Sequence, residues 1–127
     1  MNTSFEFFPP KTEKGKENLV ELTKKLSRFS PEYFSVTFGA GGSTREGTLE
    51  TCVSIKNIGQ KACPHLSGIG AFKDSISEVL DEYKEHGLMR IVVLRGDLPS
   101  GIGGLGDFPY ALDLVKFIKQ VEGNFSI

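Results

Sequence analysis

Two hydrophobic periods alternate along the chain. Four short β-rich runs, Ser4 to Phe8, Tyr33 to Phe38, Lys61 to Leu66 and Met89 to Leu94, suit half-buried or buried strands. Between and after them apolar residues fall at helical spacing: Leu19, Leu22, Leu26 and Phe29; Leu49, Cys52, Val53 and Ile55; Ile76, Val79, Leu80 and Tyr83; Ala111, Leu114, Val115 and Ile118. Boundary signals agree with this division. Ser43-Thr44-Arg45-Glu46 and Ser75-Ile76-Ser77-Glu78 have the form of capping boxes. Gly59, Gly87 and Gly123 each follow a helix pattern, where a left-handed cap is expected, and Pro31 closes the first. Strict strand–helix alternation predicts an α/β fold with parallel strands joined by right-handed crossovers.

Two architectures fit four such units. At 127 residues a flavodoxin-like open sheet would be complete, with its ligand at one switch point. A (β/α)8 TIM barrel needs roughly 250 residues. Residues 1–127 would then be an N-terminal half-barrel of four βα units, with the start of a fifth at Asn124 to Ile127. Each strand ends in polar or glycine-rich residues, and a barrel uses all its strand ends for one site. That favours the barrel.

Composition narrows the function classes. A net charge of −1 gives no basic footprint and argues against nucleic acid as a partner. No run of about 18 apolar residues exists to span a membrane. Met1-Asn2-Thr3-Ser4 leads into the first strand without a charged and apolar leader, so a cytoplasmic protein is expected. Cys52 and Cys63 match no metal spacing; they are expected as buried small hydrophobes in a reducing compartment, and no metal site is expected.

The strand ends carry the candidate chemistry. In Ser4-Phe5-Glu6-Phe7-Phe8-Pro9-Pro10-Lys11, period-two alternation puts Glu6 on one face with Ser4 and Phe8. The two prolines stop the strand just beyond it. A carboxylate among aromatic residues either finds a partner or becomes protonated. The two outcomes are an ion-paired strand-end glutamate or a general acid. After the second strand, Thr37-Phe38-Gly39-Ala40-Gly41-Gly42-Ser43-Thr44-Arg45 could bring a phosphate close to the backbone, or form a plain turn. It has neither a Walker lysine nor the full dinucleotide fingerprint. His65, in Pro64-His65-Leu66, is either a hydrogen-bonded structural residue or a ligand contact at the same end of the sheet. In Leu94-Arg95-Gly96-Asp97-Leu98-Pro99, Arg95 and Asp97 could pair privately or divide the work on a bound ring. Gly96 between them would let something flat approach. Ser100 to Gly106 suits a mobile loop or a flexible connection, and Tyr110 a ligand contact or core.

Together SFEFFPPK, SVTFGAGGSTREGT, PHL and LRGDLP, in this order and each at a strand end, resemble the N-terminal half of the methylenetetrahydrofolate reductase family. The resemblance covers essentially the whole chain. It implies a (β/α)8 barrel with FAD at the C-terminal ends of its strands, in a homo-oligomeric parent. The implied activity is an oxidoreductase acting on CH–NH donors in one-carbon metabolism and methionine biosynthesis. NADH or NADPH is the reductant and methylenetetrahydrofolate the substrate, using one flavin face in turn. By motif, Glu6 matches the general acid, and Asp97 an acidic residue that steadies developing positive charge. Thr37, Ala40, His65, Arg95, Gly96, Asp97 and Tyr110 match FAD contacts, and Phe38 a position that also meets nicotinamide. Ser67-Gly68 departs from the usual Thr-Cys, with little consequence expected. Contacts drawn from later strands lie outside the sequence. The other readings are a self-contained flavodoxin-like nucleotide-binding module and an inactive truncated fragment.

Overall fold

The structure, a computed structural model, describes residues 1–38, 45–97, 104–121 and 123–127. The chain divides into two compact units, Met1–His65 and Leu66–Ile127.

In the first unit come β1 (Ser4–Phe7), α1 (Glu13–Leu26), a 3-10 turn (Ser27–Phe29), β2 (Tyr33–Val36), α2 (Arg45–Asn57) and the first four residues of β3 (Ala62–Ser67). Pro9 and Pro10 end the ladder, and Thr12 starts α1, its Oγ1 accepting from Gly15 N at 2.9 Å. β1 pairs with β2, and β2 with β3, both in parallel. Glu6 stands opposite Ser35, and Ser35 opposite Cys63. Side chains alternate along each strand, so this register sorts the sheet into two faces. One carries Phe5, Phe7, Phe34, Val36, Ala62 and Pro64; the other Ser4, Glu6, Tyr33, Ser35, Thr37, Cys63 and His65. Phe34 is fully buried, with Phe7 stacked at 5.5 Å and Phe5 at 5.8 Å between ring centroids. α2 packs on β2 and α1 on α2. Cys52 and Cys63 are free and buried as expected, and desolvation pushes the Cys52 thiol far up.

Within this unit β1, β2 and β3 hydrogen-bond in chain order. A flavodoxin-like sheet would instead place β1 between β2 and β3. Successive right-handed crossovers without reversal put α1 and α2 on one face, and these helices do touch.

The second unit holds the end of β3, α3 (Lys73–Glu85), β4 (Val92–Leu94) and α4 (Ala111–Gln120). Beyond β3, Gly68 N donates to Leu94 O at 3.1 Å and Ile69 N to Arg95 O at 2.8 Å. Leu66, Leu80, Tyr83, Leu88, Leu114 and Ile118 form the centre of its core. Asn124 to Ile127 begin as a fifth strand should: Arg90 bridges Ser126 in parallel, and Ile91 N donates to Ser126 O at 2.9 Å.

Several boundaries differ from expectation. β1 and β2 stop at Phe7 and Val36, β3 runs one residue past Leu66, and β4 is only Val92–Leu94, since Met89 and Ile91 serve the Ser126 bridge. Leu22 and Phe29, predicted on the apolar stripe of the first helix, are exposed, while Leu19 and Thr23 are its buried pair. The helix after β3 begins two residues before Ser75. Phe72 is the N-cap, and Ser75 Oγ reaches back, accepting from Phe72 N at 3.2 Å. Ser43 and Thr44 of the other capping box lie outside the described residues. Gly59, Gly87 and Gly123 take the positive φ expected after helices, +90°, +69° and +141°. Among the described residues, no helix is long and apolar enough to cross a membrane.

Candidate active site

In the first unit the polar face of the sheet gathers Glu6, Ser35, Thr37 and His65. Glu6 Oε1 lies 2.9 Å from His65 Nε2 and accepts from Ser35 Oγ at 3.4 Å. The histidine approach is at ion-pair distance without the alignment of a hydrogen bond, and Nε2 has no hydrogen-bond partner among the described residues. Burial holds the His65 imidazole below its ordinary pKa, with the neighbouring Glu6 opposing. Of the Glu6 side-chain surface 55% is accessible, while His65 and Ser35 are buried. β1 is the end strand of the order β1, β2, β3, whereas β2 is paired on both sides. Glu6 therefore has the partner of the ion-paired reading and the access of an acid that meets a substrate.

Thr37 continues the pattern just past β2. Its N donates to Phe7 O at 3.0 Å, and its O accepts from buried Thr48 Oγ1 at 2.8 Å. Its own Oγ1 is buried without a hydrogen-bond partner among the described residues. Such an atom costs roughly 1–3 kcal/mol unless something pairs with it. Phe38 follows, half-buried. Ala40 and the rest of residues 39–44 lie outside the described residues.

In the second unit the end of β4 presents Arg95, Gly96 and Asp97. No ion pair joins Arg95 to Asp97; Arg95 Nε donates to Pro109 O at 2.9 Å, and Asp97 is exposed. The private pairing left open by the sequence is thus excluded, and the carboxylate faces solvent. Gly96 has φ +81°, and a Cβ there would run into Ser67 Oγ. Its smallness is required by its own chain, not only by an approaching ligand. Ser67 Oγ donates to Arg95 O at 3.1 Å, tying the end of β3 to that of β4. Tyr110 is the N-cap of α4, with Asp113 Oδ2 accepting from its N at 3.0 Å, and its side chain is exposed rather than core. The glycine-rich segment is anchored at its far end, where Gly70 N donates to Leu105 O at 3.0 Å and Lys73 N to Asp107 Oδ2 at 2.9 Å. Residues 98–103 lie outside the described residues.

Ser35 and Thr48 were not singled out from the sequence, and Ser67 only as a departure from the family's pattern. Each acts through a partner far along the chain, and the only local signal is a hydroxyl where a strand or helix interior favours an apolar side chain. The first unit thus supplies an accessible carboxyl beside an imidazole and a hydroxyl, with a buried threonine hydroxyl that has no partner among the described residues; the second unit supplies an exposed carboxylate. Among the described residues no three His, Cys, Asp or Glu come together as a metal site.

A family model described as methylenetetrahydrofolate reductase matches residues 1–127. A 5,10-methylenetetrahydrofolate reductase of Pectobacterium carotovorum is 43% identical over 128 residues, covering 100% of this chain and 42% of the relative. That of Escherichia coli is 40% identical over 122 residues, covering 95% and 40%. Methylenetetrahydrofolate reductase (NADH) 1 of Arabidopsis thaliana is 39% identical over 127 residues, covering 96% and 22%. The chain thus spans well under half the length of these relatives.

Proposed function

The chain belongs to the methylenetetrahydrofolate reductase family, and from that premise we propose that it forms the N-terminal part of a (β/α)8 barrel that reduces methylenetetrahydrofolate to methyltetrahydrofolate with NAD(P)H and FAD. Thr37, Ala40, His65, Arg95, Gly96, Asp97 and Tyr110 hold the FAD, and Phe38 also meets the nicotinamide. Bound there, FAD would supply hydride-transfer chemistry between the nicotinamide and the folate. Glu6 gives a proton to the folate's five-membered ring, opening it to the cation that accepts the hydride. Asp97 steadies that cation by its charge.

The observation that carries this reading is Thr37 Oγ1, buried without a hydrogen-bond partner among the described residues, on the same sheet face as Glu6 and His65. It is a polar atom awaiting a partner at a position that the resemblance gives to FAD. The singly wound order of β1, β2 and β3 also supports a barrel, since it turns a largely polar face away from the helices. The full-length protein should be yellow, with absorbance that bleaches on NAD(P)H addition and returns with methylenetetrahydrofolate. A colourless protein that gains no flavin absorbance with added FAD sinks the proposal.

A further inference from the structure

We infer that Ser35 is a positioning residue for the acid, holding Glu6 Oε1 so that the transferable proton resides on Oε2. This rests on the reading of Glu6 as a general acid. Ser35 lies in the middle of β2, 5% exposed and directly opposite Glu6 in the parallel register. Its neighbours Tyr33, Phe34 and Val36 are what a buried strand favours, and a hydroxyl there is costly unless it is used. Among the described residues its side-chain hydrogen bond goes to Glu6 Oε1. His65 Nε2 stands at the same oxygen, so two groups from two neighbouring strands converge on Oε1.

Oε2, in contrast, has no partner among the described residues, and the Glu6 side chain is accessible. A carboxylic acid has one carbonyl oxygen, which accepts, and one hydroxyl oxygen, which donates. A serine that donates to Oε1 makes it the carbonyl oxygen, leaving the proton on Oε2 to be given away. After transfer, the same donation stabilises the carboxylate. At 3.4 Å the bond is long, and catalytic hydrogen bonds of this kind tighten when substrate arrives.

The test compares Ser35→Ala and Ser35→Thr in the full-length protein, alone and with Glu6→Gln. Ser35→Ala should slow the folate half-reaction about tenfold, as loss of one hydrogen bond to a catalytic carboxyl implies. The nicotinamide half-reaction and FAD affinity should not change, and Ser35→Thr should recover most of the loss. On the Glu6→Gln background, Ser35→Ala should add nothing. In the flavin-free protein, the Glu6 side-chain carboxyl ¹³C resonance should shift with Ser35→Ala and not with Ser54→Ala. If Ser35→Ala does not fold, Ser35→Cys, which keeps the volume with a weak donor, is read in its place. Equal slowing of both half-reactions, or a loss that adds to that of Glu6→Gln, overturns the role of Ser35 and leaves the proposed function intact. Normal folate turnover in Glu6→Gln removes the acid itself, and with it both assignments.

Discussion

Gly96→Ala distinguishes a glycine kept small for a ligand from one kept small by its own fold. Two costs follow from the geometry. At φ +81° an alanine adopts a left-handed backbone, which costs about 1–2 kcal/mol. The new Cβ also meets Ser67 Oγ, with Ile69 Cγ2 at 3.0 Å and Ser67 Cβ at 3.3 Å. Ser67 has to turn away, losing the hydrogen bond to Arg95 O, worth about 1 kcal/mol. The sum is about 2–3 kcal/mol. Removing the hydroxyl first separates the two parts. In a Ser67→Ala background the backbone cost and the close approaches of Ile69 Cγ2 and the residue-67 Cβ remain, so Gly96→Ala should cost about 1 kcal/mol less there. Urea unfolding reads both values, provided that the dependence on denaturant is unchanged between variants. A Gly96→Ala protein as stable as the parent, with only its FAD affinity reduced, would falsify the packing explanation. So would an equal cost in both backgrounds.

Three further outcomes follow from the strand ends. Asp97→Asn should keep FAD and lower folate turnover by about 2–4 kcal/mol in barrier, the scale of one electrostatic stabiliser; loss of FAD would instead make Asp97 an anchoring residue. Thr48→Val removes the buried donor to Thr37 O and should cost about 1–2 kcal/mol by urea unfolding; an unchanged midpoint would mean that this bond does not hold the end of β2. His65 is buried with its pKa below the ordinary 6.5, so the unfolded chain takes up the proton first. Its contribution to stability is complete above about pH 6.5 and is lost as pH falls from there toward the lower folded value, at most about 1.4 kcal/mol per pH unit. Against a His65→Asn variant the parent should therefore lose stability more steeply over that window, and parallel curves would contradict the assignment.

Much of the architecture is legible in the sequence because its signals are local. Hydrophobic period separates strand from helix, and prolines and glycines mark the ends. Faces are legible too: alternation alone places Glu6 opposite the phenylalanines of β1, as the register bears out. What lies over a face is not local. Glu6 sits among aromatic residues in the sequence, yet Phe5 and Phe7 belong to the other face of the sheet and the carboxylate stays accessible. Ser35 becomes visible only once parallel pairing fixes it opposite Glu6, 29 residues away. Arg95 and Asp97 share one side of an extended segment by spacing, but Arg95 is claimed by Pro109 O, whose position depends on the loop before α4. Ser75 fits a capping box as its first residue and serves as the residue that reaches back, because the same short hydroxyl satisfies either geometry.

The arrangement of the first unit ties fold to chemistry more closely than any one residue. A doubly wound sheet covers both faces with helices, and its strands then read as almost continuously apolar. In β1 and β2 only one face reads so. Phe5, Phe7, Phe34 and Val36 belong to the side that a helix layer covers, while Ser4, Glu6, Tyr33, Ser35 and Thr37 occupy the other. A second helix layer on that face would bury a carboxylate and several hydroxyls against apolar side chains, at a cost of a few kcal/mol for each unpaired group. Chain-order pairing of β1, β2 and β3 avoids that cost, since every right-handed crossover returns on the same side. The polar face is thereby left for something polar, and Thr37 Oγ1, which has no hydrogen-bond partner among the described residues, marks where that something should bind.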